Sequence, residues 1–529
     1  MEVVSKKYVV FSMQSFLNNL VDIFEQSCLL NSKKIALVFG SKKITYKELY
    51  DIVNRLSFSL YRLGVEEKDK IALWLPNCLE FVYSFFAILK LKAIIVPINN
   101  MFKREEAKFI LEDSSAKILF CSIDKVSDAK NLLTRLSSLK YIISNPVPKD
   151  DKTLINFYDL INSNIEIFER KINIERSDIA EIIYTSGTTG RPKGAVLTHG
   201  NLISNISDCA KVIKLKRKDA VICLLPLFHS FASTVCMLLP IYVGAKIVIM
   251  RSIKPFKRII RTIFKHRITI FVGIPSLYNI LVESNFSKLF LFLIRFINPI
   301  RLCISGASAL SFKTQESFEK KFKRPLREGY GLTEASPVVS LNPLKINKPY
   351  SVGLPLPSVK VKVVDKYNRE LPNNTVGELI VKGPNVMSGY YNLEDATRET
   401  IKDGWLYTGD LAKIDDEGFI YIMGRIKDMI NVRGLNVYPK EIEDLLYRLK
   451  EIKEVAVIGV LHKHKEEAPI AFVVKEGNIT EKEILDYLKA NLASYKIPLR
   501  IFFKDSLPKN STGKILKTEL KKEVENIFI

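Results

Sequence analysis

Apolar and polar positions along this chain follow two periods, and the balance between them shifts with position. From about residue 45 to 330, short apolar runs of strand length are separated by stretches with helical spacing. Thr45 and Glu48 form a capping-box pattern, and Leu49, Ile52, Val53, Leu56, Leu60 and Leu63 follow at helical intervals up to Gly64. That predicts a helix entered at Thr45 and ended by the glycine. Ile71 to Leu75 reads as a buried strand, Leu79 to Leu91 as an apolar helix and Ala93 to Val96 as another strand. Similar runs recur around Lys117 to Cys121, Ala220 to Leu225, Ile247 to Met250, Ile270 to Val272 and Arg301 to Ser305. Apolar strands alternating with helices imply parallel sheets covered on both faces.

After residue 350 the texture changes. Val359 to Val364, Gly377 to Val381 and Gly418 to Met423 are β-rich and punctuated by turns, which suggests a smaller barrel-like or distorted sheet. From Arg425 onward a compact α+β module is predicted. It has a helix at Pro439 to Leu449, strands at Val455 to Val460 and Ile470 to Val474, and a helix at Glu481 to Leu492. The fold class is α/β. The expected division is a large N-terminal domain over 1–425, its β-rich part at about 345–425, and a small C-terminal domain over 426–529.

Two stretches test whether the chain enters a membrane. Ala220 to Ala245 carries no charge and is long enough to span a bilayer. Pro226, His229, Ser230, Ser233, Pro240 and Gly244 interrupt it, so a buried strand, turn, helix and turn fit better. Leu289 to Ile300 is short and apolar around Arg295, and reads as a core helix in preference to an interfacial patch.

Charge narrows the partners. Lys and Arg outnumber Asp and Glu by 80 to 57, a net +23, which favours polyanions such as nucleotides, coenzyme A or an anionic membrane surface. The basic clusters Lys211 to Lys218, Arg251 to Arg267 and Lys320 to Arg327 lack the interleaved exposed aromatics of single-strand binders, so nucleic acid is not an expected partner. Seven cysteines with no CxxC spacing argue against a disulfide framework or zinc site. Met1 to Phe16 has no long apolar core of the signal-peptide kind. Together these give a cytoplasmic expectation, with room for peripheral contact at the inner face of a membrane.

The most informative motif is Tyr184 to Gly194, YTSGTTGRPKG. Its hydroxyls (Thr185, Ser186, Thr188, Thr189), its glycines (Gly187, Gly190, Gly194) and Lys193 are what a polyphosphate loop needs. Glycine admits close backbone approach to an anion, hydroxyls donate and lysine adds charge. The spacing is not that of a Walker A loop. Further polar islands follow: CISGAS around Ser305, EGYGLTEASP from Glu328, WLYTGDL from Trp405, GRIKDMINVRGLNVYPKE from Gly424, and STGK ending at Lys514. No Ser/His/Asp or Cys/His arrangement for a side-chain nucleophile stands out.

In order and spacing these motifs resemble the adenylate-forming enzyme superfamily, which comprises acyl-CoA synthetases, luciferases and peptide-synthetase adenylation domains. The resemblance covers essentially the whole chain. It implies two αβ sheet subdomains plus a β-rich one, followed by a mobile C-terminal domain. It further implies that Thr185, Ser186, Gly187, Thr188, Thr189, Gly190 and Lys193 hold phosphate. Ser305, Gly306, Ala307, Glu328, Gly329, Tyr330 and Gly331 then line the adenine. Thr333 touches phosphate, and Glu334 with Thr185 holds Mg²⁺. Asp410 grips the ribose with Arg425 as partner, and Lys514 bridges the substrate carboxylate and the α-phosphate. His229 stands at the acyl-pocket wall, Lys427 at the hinge and Gly434 in the thiol tunnel.

The stretch Asp403 to Lys427 resembles the signature region of fatty acyl-CoA synthetases, and Leu224 to Leu239 and Gly273 to Leu281 are apolar. The implied substrates are ATP, coenzyme A and a medium- or long-chain fatty acid. Alternatives are transfer to a carrier-protein phosphopantetheine, an aryl or short-chain acid, and an inactive basic nucleotide- or membrane-binding protein.

Overall fold

The computed structural model describes residues 18–147, 151–162, 168, 172–185, 191–253, 255–287, 291–292, 296–432, 435–462, 466–510 and 513–528. The predicted first helix forms as Tyr46–Arg62. Thr45 and Glu48 make the reciprocal capping box, and Leu49, Val53, Leu56 and Leu60 are buried. Gly64 follows at φ +81°, the left-handed turn that lets the chain leave the helix.

Two large sheets carry the N-terminal part. In the first, Lys70–Trp74, Ile94–Pro97, Ile118–Ser122, Tyr141–Asn145 and Leu154–Asn156 pair in parallel. Ile179–Thr185 joins this set in parallel and then turns back, antiparallel, onto Lys193–Thr198. The second sheet has a parallel centre of Ile35–Phe39, Lys246–Ile249, Ala220–Cys223, Ile270–Gly273, Leu302–Ser305 and Leu326–Gly331. Antiparallel strands Val338–Leu341 and Leu354–Pro355 extend one edge. One continuous core links the two sheets. Strands covered on both faces are buried at every position, as at Ala220–Cys223 and Leu302–Ser305, and are apolar except for Ser305 at the end of the second. Polar motifs therefore sit where the strands stop, at the carboxyl ends that favour ligand binding in such sheets.

A five-stranded antiparallel sheet follows, with Trp405–Ile414 pairing Gly377–Lys382, Ile401–Lys402 and Ile420–Arg425. The C-terminal domain is built on Ile452–His462, Glu466–Lys475 and Ile501–Phe503. Alternation splits its strands between two small cores. Val455 and Val457 pack with Ile442, Leu446, Ile484 and Leu488, on the helices Pro439–Leu446 and Glu481–Asn491. Ala456 and Ile458 pack with Leu520 and Val524 on the helix Lys517–Phe528.

The uncharged stretch 220–245 is a buried strand followed by helical turns from Ser230 to Val243, as expected. One departure is that Ser233–Leu238 winds as a π-helix. The widened turns precede Pro240, which has no N–H for the helical ladder. Among the described residues no helix is long and apolar enough to cross a membrane. Of Leu289 to Ile300, residues 289–290 and 293–295 lie outside the described residues; Ile300 is buried, but Phe292, Phe296 and Ile297 are 56%, 74% and 61% exposed, which corrects the core reading at those three positions. Periodicity alone reports that a segment is apolar, not what covers it. All seven cysteines are free and buried.

Candidate functional site

The β-rich sheet delivers the first cluster. Asp410 on Trp405–Ile414 and Arg425 on Ile420–Arg425 are register partners, so cross-strand geometry sets them side by side. Arg425 Nε lies 2.8 Å from Asp410 Oδ1. Tyr330, near the end of Leu326–Gly331 in the second large sheet, donates its hydroxyl to Asp410 Oδ2 at 2.5 Å. Burial, and then the Asp410 charge, push the Tyr330 pKa up, so the hydroxyl stays a donor. Asp410 is only 4% exposed. A carboxylate accepts about four hydrogen bonds, so this one is fixed in place with capacity left for a diol. Before it, Gly409 takes φ +68° and donates its N–H to Glu378 Oε1 at 3.0 Å.

The C-terminal domain brings Lys514 to the same place. Its loop is closed by two bonds with Asn510: Asn510 N–H donates to the Lys514 carbonyl and Lys514 N–H to Asn510 Oδ1, both at 2.9 Å. Gly513, at φ +77°, lies against the large domain where the helix Pro275–Glu283 begins. A Cβ there would stand 3.0 Å from both Ile274 Cδ1 and Ser276 Oγ. Loss of solvation and the nearby Arg425 charge lower the Lys514 pKa, while Asp410 and Asp428 oppose them. The lysine of one domain thus sits in the field of the ion pair of the other.

A second cluster borders the phosphate-type loop. Thr185 and Lys193 are the last register pair of their hairpin, and Ser186, Gly187, Thr188, Thr189 and Gly190 between them lie outside the described residues. Among the described residues the Thr185 hydroxyl makes a long 3.4 Å contact, to the Lys193 carbonyl. Lys193 Nζ lies 5.1 Å from the ring centre of Tyr390. The Tyr390 hydroxyl donates to Glu334 Oε1 at 2.9 Å. The strand Gly389–Tyr390 pairs with Lys193–Thr198, and Met387 N–H bonds the Glu334 carbonyl at 2.9 Å. Tyr390 therefore ties Glu334 to the foot of the loop. Sequence reasoning did not single it out, because a tyrosine beside another tyrosine in the mixed stretch SGYYNLED carries no pattern. Ser230 was missed as well; its Oγ is 3.1 Å from Thr333 Oγ1.

Toward the expected acyl side, Phe231 lies over Gly306, where a Cβ would come within 2.8 Å of the ring. Gly331 is similarly required: a Cβ would stand 2.1 Å from the Pro337 carbonyl oxygen. Ala307 follows Gly306 at φ +70°, a strained value for a residue with a Cβ, at a site boundary where such strain tends to gather. His229 is half-buried beside Phe228, with ring centres 5.1 Å apart, and burial pushes its pKa down to about 4.

Two expected lining residues face inward. Ser305 is fully buried, and among the described residues its hydroxyl has no partner. The Glu328 carboxyl accepts the Leu310 N–H at 2.9 Å. Burial raises the Glu328 pKa to about 7, opposed by Lys440 of the small domain. Gly329 lies on the same strand, where a Cβ would stand 3.0 Å from the Ser340 carbonyl oxygen. Lys427 occupies the exposed turn Ile426–Asp428 directly after Arg425. Gly434 lies outside the described residues.

The donor set was tested against Mg²⁺. Among the described residues no three His, Cys, Asp or Glu side chains gather as a metal cage. Mg²⁺ bound with nucleotides uses one or two carboxylates and the substrate phosphates instead. Glu334, held by Tyr390 beside the loop, with the loosely engaged Thr185 hydroxyl, fits that kind of site.

Comparison with known proteins agrees with this geometry. Residues 24–391 match the family described as AMP-binding enzyme, and residues 441–514 match the AMP-binding enzyme C-terminal domain. The chain is 35% identical to a long-chain-fatty-acid–CoA ligase of Escherichia coli, over 96% of this chain and 94% of that one. Its structure resembles the anthranilate CoA ligase AuaEII in complex with anthranoyl-AMP, with TM-score 0.88, 28% identity, and 97% and 99% coverage of the two chains. ATP-bound MatB from Rhodopseudomonas palustris gives TM-score 0.87 at 29% identity, over 97% of this chain and 100% of that one. Apo MatB gives 0.78 at the same identity and coverage. With both domains matched and a relative 35% identical over nearly the whole chain, the chain belongs to the AMP-binding enzyme family, the adenylate-forming enzymes.

Proposed function

We propose that the protein joins a medium- or long-chain fatty acid to AMP and then to coenzyme A. The observation that carries this reading is Lys514 of the small domain standing in the field of the Asp410–Arg425 pair. A carboxylate is a poor electrophile because its leaving group would be oxide. In the first step a carboxylate oxygen bonds the α-phosphorus of ATP, and the bond from that phosphorus to the bridging oxygen breaks, releasing pyrophosphate. In the second, the coenzyme A sulfur bonds the acyl carbon, AMP leaves with the ester oxygen, and the thiol proton passes to solvent.

Asp410 accepts from the ribose hydroxyls, and Lys514 holds the substrate carboxylate against the α-phosphate and stabilises its growing charge. The depressed pKa of Lys514 reflects its desolvation and the adjacent Arg425; a bound anion supplies the missing counter-charge. Glu334 and Thr185 would hold Mg²⁺, which would supply charge neutralisation on the phosphates. His229 stays neutral and so leaves an apolar chain unopposed by charge. Lys514 obstructs the approach of a thiol, so the small domain swings about Lys427 between steps. The better superposition on ATP-bound than on apo MatB supports reading this arrangement as the adenylate-forming one.

For the acid itself, support comes from Phe231 over Gly306, the buried apolar residues Val235 to Leu238, and the naming of the Escherichia coli relative. The resemblance to an anthranilate ligase favours an aryl acid as the second reading. Pyrophosphate release and thioester formation are measured across even-numbered fatty acids, benzoates and malonate. Fatty acids are expected to give the highest kcat/KM, rising with chain length as each buried methylene adds about 0.8 kcal/mol. Higher kcat/KM with a benzoate would replace fatty acid by aryl acid. Acid-dependent pyrophosphate release without thioester would remove coenzyme A as acceptor.

A further inference from the structure

The helix Phe256–His266 and the segment that ends at Ile300 form one surface. Ile260, Ile263 and Phe264 of the helix line the same narrow apolar slot, about 30 Å³, as Asn298 and Ile300. Just before Asn298, Phe296 and Ile297 are 74% and 61% exposed, and Phe292 is 56% exposed. The two phenyl rings lie 5.4 Å apart, edge to face. Single exposed apolar residues are ordinary, but three adjacent large ones are not.

The helix beside them is sharply amphipathic. It buries Ile259 and Ile263 and exposes Lys257, Arg258, Arg261 and Lys265. From residue 251 to 267 the sequence has seven Lys and Arg and no acid, and between 251 and 300 the only acid is Glu283. The Glu283 charge is met by Lys453, at 2.8 Å.

We propose that this face docks the protein on an anionic lipid surface, with Phe292, Phe296 and Ile297 inserted at the headgroup level and Lys257, Arg258, Arg261 and Lys265 against the lipid charges. Charge decides against a second copy of the chain as the occupant, since self-pairing of this face would set like charges together. The aromatic cluster decides against a purely electrostatic polyanion partner, which has no use for exposed phenyl rings between cations. Exposed aromatic and cationic side chains on two segments that meet at one slot suit an interface that is apolar below and charged above. None of these residues is among those assigned to adenylation, and the inference does not depend on which acid is activated.

The test is co-sedimentation of the full chain with vesicles of phosphatidylcholine alone and of an equal mixture of phosphatidylcholine and phosphatidylglycerol. The wild type is expected to bind the mixed vesicles and to pellet poorly with neutral ones. Phe292→Ser with Phe296→Ser is expected to weaken binding to mixed vesicles about tenfold, and Arg258→Glu with Arg261→Glu to remove the preference for anionic lipid. Both variants change exposed positions, and their unfolding midpoints and pyrophosphate-release rates with a soluble acid are expected to match the wild type. Equal binding to both vesicle types would overturn the proposal. So would full binding by the phenylalanine variant, which means adsorption by charge alone, or a wild-type dimer in sedimentation that the variant lacks, which means a second copy covers the face.

Discussion

At the scale of single residues, two buried groups expose opposite uses of burial. Asp410 is buried and has Arg425 and Tyr330 as partners. Glu181, on the strand that leads to Thr185, is 1% exposed, and neither carboxylate oxygen has a partner. Burial pushes its pKa up to about 8. Its folded-state pKa lies above the unfolded value, so its stabilising contribution is complete below about pH 4.5 and fades as pH rises toward 8. Glu181→Gln keeps the shape and removes the titration. Relative to wild type the variant is expected to gain about 3 kcal/mol of stability between pH 5 and pH 8. Denaturant melts at the two pH values check this, and an unchanged difference would show that Glu181 titrates normally. Tyr390→Phe removes one hydrogen bond to a carboxylate, worth about 1.5–3 kcal/mol. The KM for Mg–ATP is expected to rise about tenfold, read in initial-rate kinetics at saturating acid.

At the scale of elements, much was legible because local signals agreed. The capping box at Thr45 and the leucine period after it gave the helix Tyr46–Arg62 nearly to the residue. The alternation at Val455 to Val460 gave a strand, though its neighbours extend it to Ile452–His462. What was not legible depends on contacts between distant elements. The motifs around Asp410 and Arg425 were visible, but their register pairing is a property of the folded sheet. Phe231 became significant only because Gly306 lies beneath its ring. The exposure of Phe296 was missed because an apolar run has the same appearance whether or not something packs on it. The loop carrying Lys514 shows how an element sets a side chain. Gly513→Ala adds a Cβ at φ +77° against Ile274 and Ser276. The left-handed strain of about 1–2 kcal/mol, with that contact, is expected to lift the loop and slow acyl-adenylate formation about tenfold. Quenched-flow measurement of acyl-AMP reads the effect, and a wild-type rate would show that the docked loop is not the working one.

At the scale of the whole molecule, the large domain holds the Asp410–Arg425 pair, the Glu334–Tyr390–Lys193 chain and Gly306 beneath Phe231. The small domain contributes Lys514. Division of the site between two bodies lets one chain serve two steps, provided the lysine is needed for the first and absent from the second. That claim is tested most directly by measuring both half-reactions of Lys514→Ala under single-turnover conditions. Acyl-AMP formation from ATP and acid is expected to fall by about 10²–10³, the loss typical of one group that stabilises developing charge. Thioester formation from preformed acyl-AMP and coenzyme A is expected to stay within about threefold of wild type. Equal loss of both half-reactions, or no loss in the first, would contradict the account.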